Sequence, residues 1–437
     1  MDQQDKHLLN QAPAPEPIII PRAKHTLSRK NIDPDALKVL YRLHNHGFVA
    51  YLVGGSVRDV LLGRRPKDFD VGTDARPNQV HRLFRNSRII GRRFRLVQVF
   101  FRGGKVIEVS TFRKSADIEP EDDAVLQANN TFGTPAEDAL RRDLTINALF
   151  YNIADYSLVD YVGGLSDLKS GLIRSVGNAD LRFHRDPVRV LRAVRHAART
   201  GFTLTDDTLE AVQKRRSELS LCPESRVRDE LMRDLKGGSS AAWLELAHGT
   251  GVLYSLLPAL EPFYGSDDNG LRQAACKLLK RVDGLAAGGS PPSDPVLVAT
   301  LFWPALEEKA LEVEFPPGRA GRTRWAFFVR DTLPNMTKTV QFAKRVMERA
   351  CQIGGVMGFL REDNPPPRLP KKVTEKGYFV DACQLAEVLG RDLTSRAGGA
   401  APKTSRKRRR RRRKKKPGNT QAPKKQSAPL KTAGDKT

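Results

Sequence analysis

Tyr51-Leu52-Val53-Gly54-Gly55-Ser56-Val57-Arg58-Asp59, with Asp68-Phe69-Asp70 a short way downstream, decides how this chain is read. On a β-strand, residues i and i+2 point to one face, so a strand over 68–71 projects Asp68 and Asp70 together. Two unpaired carboxylates repel and raise each other's pKa unless a cation sits between them. Hard oxygen ligands on a rigid strand suit Mg²⁺, which takes one or two protein carboxylates plus substrate phosphates. Upstream, a strand over 49–53 runs into Gly54 and Gly55, which free the backbone to turn tightly into a helix over 56–62. The free N–H groups and positive dipole end of that helix suit an anion such as a triphosphate. A lone Asp-x-Asp is more often a solvated strand face, and a lone Gly-Gly a turn. Strand, turn, helix and strand in that order within about twenty residues favour chemistry.

The 437 residues can form two or three domains, each with its own core. Cys222, Cys276, Cys351 and Cys383 are far apart with no Cys-x-x-Cys, which predicts ordinary thiols in a reducing compartment. Ile18-Ile19-Ile20 lies between prolines and is too short for a secretory signal. The apolar run over 296–306 is too short to span a bilayer and predicts a core helix. These features point to a cytoplasmic protein, with a monomer expected. The net charge is +25, and sixteen Lys/Arg against one Asp fall in 403–437. There Arg406, Arg408, Arg410, Arg412, Lys414 and Lys416 belong to an unbroken basic run, which self-repulsion keeps disordered. A solubility tail is the plain alternative, but such a run suits a nucleic-acid phosphate backbone, without base specificity.

Along the chain, 1–34 is polar and proline-bearing and reads as a flexible segment. Helical spacing of Leu37, Leu40 and Leu43 predicts a helix over 35–46. Strands over 95–101 and 105–112 flank Arg102-Gly103-Gly104, a hairpin signal. Glu108 in the second shares a face with Val106 and Ser110. If that face meets the Asp68/Asp70 strand, Glu108 completes a three-carboxylate site. The acidic segment 116–130 reads as a mobile loop over the site or an idle surface loop. From 186 to about 390 the pattern is almost wholly helical. A helix over 186–199 starts with Asp186 as N-cap and Pro187 in the first helical position. Arg189, Arg192, Arg195 and Arg199 share one side of it, Val190, Ala193, Val194, Ala197 and Ala198 the other. The expected architecture is α+β: a mixed-sheet head over 35–176, a helical neck over 177–255 and a helical body over 256–395. A basic tail covers 396–437.

Leu52 to Asp70 resembles the signature of the class II nucleotidyltransferases, the tRNA CCA-adding enzymes and bacterial poly(A) polymerases. The likeness continues through Ile89-Ile90-Gly91-Arg92-Arg93-Phe94-Arg95-Leu96 and Glu108-Val109-Ser110-Thr111-Phe112-Arg113. Arg141-Arg142-Asp143-Leu144-Thr145-Ile146-Asn147-Ala148-Leu149 and Arg185-Asp186-Pro187-Val188-Arg189-Val190-Leu191-Arg192-Ala193-Val194-Arg195 complete it. It implies two Mg²⁺ ions on Asp68 and Asp70, with Mn²⁺ as a substitute, and ATP bound near Gly54, Gly55 and Arg58. It places Arg142 and Asp143 near the ribose and catalytic centre, with a capping or ion-paired Asp143 as the alternative. Asn147 would contact sugar hydroxyls or lie merely exposed. Asp186 and Arg189 would read the incoming base, and Arg192 would contact phosphate.

One departure bears on function. Arg185 stands where the family usually has Glu before Asp186, which leans away from ordered C, C, A addition and toward adenylate alone. The resemblance therefore implies template-independent addition of AMP from ATP to RNA 3′ ends, with RNA-decay machinery as the expected partner. The alternatives are CCA addition to tRNA and a catalytically silent RNA-binding scaffold. Deleting 403–437 is expected to weaken RNA affinity and flatten its salt dependence while activity on short primers survives. Binding isotherms at increasing salt check this, and an unchanged slope rules the tail out as an RNA grip.

Overall fold

In a computed structural model, the structure describes residues 16–91, 95–114, 132–266, 270–361 and 368–395. The acidic segment 116–130, Arg92-Arg93-Phe94 and the basic run 406–416 lie outside the described residues. Eight strands form the large sheet: β1 (Ile18–Ile20), β2 (Ala50–Val53), β3 (Asp70–Thr73), β4 (Ser87–Ile90), β5 (Leu96–Phe100), β6 (Val106–Thr111), β7 (Leu149–Asn152) and β8 (Leu158–Asp160). Their order is β1-β8-β7-β2-β3-β6-β5-β4. β3 and β6 run parallel and the other neighbours antiparallel. The hairpin between β5 and β6 turns at Gly103 and Gly104, both at positive φ (79° and 82°), which glycine alone adopts readily.

Period-two alternation sorts the sheet's faces. Leu52, Val71, Val97, Val99, Ile107 and Val109 are buried in the main core. That core includes Ala36, Val39, Leu40 and Leu43 of the helix Pro34–Asn45. Asp33 caps this helix, its Oδ1 accepting from the Asp35 N–H at 2.7 Å. On the other face Val53, Phe112, Ala139, Ala148, Phe150, Val159 and Val176 form a smaller apolar cluster. The catalytic candidates stand on this second face, because Val53 pairs with Asp70 across β2 and β3.

Past residue 178 the chain is helical, apart from Thr203–Leu204. That short strand pairs parallel with Leu172–Ile173, so the neck is not purely α-helical. The helix Asp294–Lys309 buries every residue from Val296 to Leu306, as the apolar run predicts. Among the described residues no helix is long and apolar enough to cross a membrane.

The segment expected to be flexible is ordered from Glu16 onward. Ile18, Ile19 and Ile20 pair with Asp160, Val159 and Leu158 as an edge strand, and Leu27 is fully buried. Short apolar runs between prolines carry too little periodicity to show this; a tertiary partner supplies the pairing. Leu27→Ala should cost about 2–5 kcal/mol, read as a lower midpoint in urea unfolding.

Candidate active site

Gly54 has φ +73° and ψ −139°, a backbone conformation that side chains disfavour. A Cβ on it would stand 3.1 Å from Arg142 Nη1, and one on Gly55 would stand 3.3 Å from Arg58 Nη2. The double glycine thus serves the turn and the close approach of two guanidinium groups. The helix that follows is Gly55–Leu61.

Asp68 is exposed in the loop before β3, Phe69 is buried, and Asp70 is the first residue of the strand. The strand therefore begins two residues later than 68–71, so strand alternation does not govern Asp68. Asp70 is in register with Glu108 on the parallel neighbour β6. Burial first, then Glu108, with a smaller push from Asp68, raise the Asp70 carboxyl to about 6, against the pull of Arg142. Glu108 accepts a hydrogen bond from Gln98 Nε2 at 3.0 Å. Among the described residues no three His, Cys, Asp or Glu side chains converge closely enough to hold an ion by themselves. The expected three-carboxylate cage is thus not closed: Asp70 and Glu108 face each other across the parallel pair, and Asp68 stands in the loop ahead of the strand. A divalent cation fits the pair: its donors are hard oxygens, and it would relieve the repulsion that raises Asp70.

Two nucleotide-binding candidates turn inward instead. Arg58 is 2% exposed. Its Nε and Nη2 donate to Asp59 Oδ1 at 2.9 and 2.7 Å. Its Nη1 donates to Asn147 Oδ1 at 2.5 Å and lies 3.1 Å from His196 Nδ1. A guanidinium so fully engaged is a brace, not a triphosphate ligand. Asn147 is buried in a 3₁₀ turn, and its Nδ2 donates to Asp143 Oδ1 at 3.3 Å, so it neither reaches a sugar nor faces solvent.

Asp143 takes the ion-paired alternative: its Oδ1 accepts from the Leu144 N–H at 2.9 Å, and Oδ2 lies 2.8 Å from Arg192 Nε. Burial alone would raise its pKa, but Arg192, followed by the Asn147 amide and the Leu144 N–H, holds it well below the usual carboxylate range. Arg142 is held by Asp138 at 2.9 Å, by the Asn147 carbonyl at 2.9 Å and over the Phe150 ring at 5.0 Å.

The arginine-rich helix is Val188–Thr200. Asp186 ends the preceding helix Ala179–Arg185, and its side chain caps no N–H group of Val188–Thr200. Instead the Asp186 carboxylate faces Arg189 at 3.6 Å and Arg226 at 3.0 Å. Neither Asp186 Oδ1 nor Arg189 Nη1, both buried, makes a well-directed hydrogen bond, which leaves an acceptor and a donor side by side. Arg195 pairs with Glu230 and Asp234, and Arg199 with Asp59 at 2.9 Å.

His196, Asp59, Asp138, Gln98 and Arg226 were not singled out from the sequence. His196 alone carried a signal, lying one turn from both Arg192 and Arg199 on the charged side. Burial, followed by Arg58, pushes its pKa down to about 3 although Asp143 pulls the other way, so the ring is neutral at working pH.

Residues 50–174 match the Poly A polymerase head domain, and 201–264 the "Probable RNA and SrmB- binding site of polymerase A". Poly(A) polymerase I of Salmonella typhi is 39% identical over 341 residues, covering 76% of this chain and 73% of its own. The chain belongs to the bacterial poly(A) polymerase family. Like its relatives in that family, it is a nucleotidyltransferase. The CCA-adding enzyme of Bacillus pumilus is 37% identical over 230 residues, 52% of this chain and 55% of its own. The crystal structure of Bacillus stearothermophilus CCA-adding enzyme in complex with CTP covers 85% of this chain and 80% of its own. Its TM-score is 0.59 and its identity 26%. The poly(A) polymerase family therefore shares its fold with the CCA-adding enzymes.

The raised Asp70 gives a test that needs no substrate. A carboxyl that titrates near 6 when folded and near 3.9 when unfolded costs stability as pH rises between those values, and the cost is complete above 6. Without divalent ions, Asp70→Asn is expected to gain about 2–3 kcal/mol at pH 7.5 and almost nothing at pH 4, measured by urea unfolding. Millimolar Mg²⁺ should stabilise the wild type and not the variant.

Proposed function

We propose that this chain adds AMP from ATP to RNA 3′ ends without a template, releasing pyrophosphate, in the cytoplasm, where such tails would mark RNA for decay. The observation that carries the reading is Asp70, opposite Glu108 on β6 and paired across β2 with Val53, which leads into the Gly54 turn; Asp68 stands in the loop just ahead, and neither Asp68 nor Asp70 has an ion-pair partner among the described residues. A binding scaffold gains nothing from clustered acids facing RNA phosphate. Adenylate as the product is favoured by the relatives: poly(A) polymerase I matches 76% of the chain, and the CCA-adding enzyme 52%.

The mechanism divides among residues. Asp68 and Asp70 would hold divalent cations, Mg²⁺ or Mn²⁺, which when bound neutralise the triphosphate and acidify the attacking hydroxyl. The glycine turn lets triphosphate approach the backbone, and Arg142 beside it supplies positive charge near Asp70. Arg192, half-exposed, spends Nε on Asp143 and keeps its outer N–H groups for phosphate; Asp143 acts as its positioning residue. Arg189 Nη1, without a hydrogen-bond partner, would donate to a base edge, and the Asp186 carboxylate would accept from it on loosening its ion pair with Arg226. The RNA 3′-oxygen bonds to the α-phosphorus as the bond to the bridging oxygen breaks, and pyrophosphate departs in line.

Addition of C, C, then A to tRNA is the second reading, favoured by the structural likeness to the enzyme bound to CTP. Labelled nucleotides supplied one at a time, with RNA primers and with tRNA lacking its end, separate the two. A long ladder from ATP alone is expected; two C residues, one A and a stop would overturn the proposal. In the same assay Asp70→Ala should abolish addition while RNA binding survives.

A further inference from the structure

The helix Gly318–Met336 lies in the body, outside both matched family regions. Its inner stripe (Gly321, Trp325, Val329, Leu333 and Met336) is buried. Trp325 Nε1 donates to the Gly354 carbonyl at 2.9 Å, and a Cβ on Gly354 would stand 2.9 Å from Val329. The helix is therefore clamped tightly against Lys344–Val356, and its other side is free to present a rigid surface.

That outer side is unusual for a solvated helix. Phe327 is 63% exposed, although nothing in the packing requires an aromatic ring there. Arg319, Ala320, Thr323, Arg324 and Phe327 line an open depression of about 610 Å³. Arg330 follows one turn beyond Phe327 and is exposed. The helix carries Arg319, Arg322, Arg324 and Arg330 against the single acid Asp331. Arg319, Arg324 and Arg330 have no ion-pair partner among the described residues. On the packed side of the helix, Arg361 stacks 4.2 Å from the Trp325 ring and Arg322 lies 5.2 Å from the Phe359 ring.

A flat aromatic ring flanked by uncompensated guanidinium groups matches the chemistry of a single strand of nucleic acid, whose bases stack while its phosphates pair. We infer that this face binds single-stranded RNA away from the reacting 3′ end, one base stacking on Phe327 and neighbouring phosphates meeting Arg319 and Arg324. The assignment of RNA rests on the polymerase reading above. Because stacking is tolerant of base identity, the face grips RNA of any sequence and acts on long substrates only.

The test uses the full chain and a fluorescent oligo(A) of about 20 nucleotides, read by anisotropy. Phe327→Ala should weaken binding about tenfold, Phe327→Trp should restore it, and neither should move the melting temperature. Arg319→Ala with Arg324→Ala should lower the slope of log affinity against log salt by about 1.4, two phosphate contacts on a single strand. Extension by ATP of a primer of about six nucleotides should be unchanged in all of these variants. Unaltered affinity and slope would overturn the inference and leave the face to a protein partner. Failure of the wild type to extend the short primer would instead defeat the polymerase reading, so the two failures are distinguishable.

Discussion

Asp70 and Glu108 face each other because β3 and β6 are parallel and in register, the one parallel pair in the large sheet. Joining them takes a crossover through the helix Pro77–Leu83 and the strands β4 and β5. Like charges opposed across a ladder destabilise a sheet. The opposition survives because Val71 and Val109, next along the same strands, are buried on the far face. A slip of one residue would exchange acids for valines across the whole sheet, so the hydrophobic core itself fixes the carboxylates in place. The repulsion that raises Asp70 follows from that constraint, as does its appetite for a cation.

The arginines around the site differ in which acids they grip. Arg58 and Arg199 both grip Asp59, while Arg192 grips Asp143. Asn147 and His196 lie between them. Together these bonds join the glycine-turn helix, the 3₁₀ turn at Thr145–Asn147 and the helix Val188–Thr200. A buried network of this kind strongly penalises loss of any member, because the remaining partner is left desolvated and unpaired. Several motif residues therefore brace the sheet against the helices that follow it. Arg142 joins the same network through the Asn147 carbonyl, and the Asp186/Arg189 pair lies beyond it, braced by Arg226.

How much of this was legible in the sequence follows from what each signal measures. Period two placed Asp70 and Glu108 on faces, and the Gly-Gly step placed the turn, because those are local backbone properties. The sequence also showed the helix over 296–306 and the hairpin at Gly103. It did not show that Arg58 and Asn147 point inward, since polar side chains read alike whether they meet water, substrate or one another. Nor did it show β1, whose three isoleucines become a strand only through Leu158, Val159 and Asp160. His196 escaped notice because a lone histidine on a charged helix face is ordinary until Arg58, Asn147 and Asp143 surround it.

The substitution at Arg185 weighs differently once the geometry is known. If a glutamate at that position served to orient Asp186, its loss would slacken base reading and favour an enzyme that adds one nucleotide repeatedly. Here Asp186 is held from another direction: Arg226, on the helix Glu224–Lys236, reaches its carboxylate at 3.0 Å, and Arg189 braces the other side. Both braces are cations contributed by other positions. Precision at Asp186 is therefore recoverable without the glutamate, and Arg185 by itself does not separate adenylate addition from ordered C, C, A addition. What separates them must lie in other contacts, because Arg226 is itself half-exposed and its pairing with Asp186 is a surface ion pair that water and salt screen.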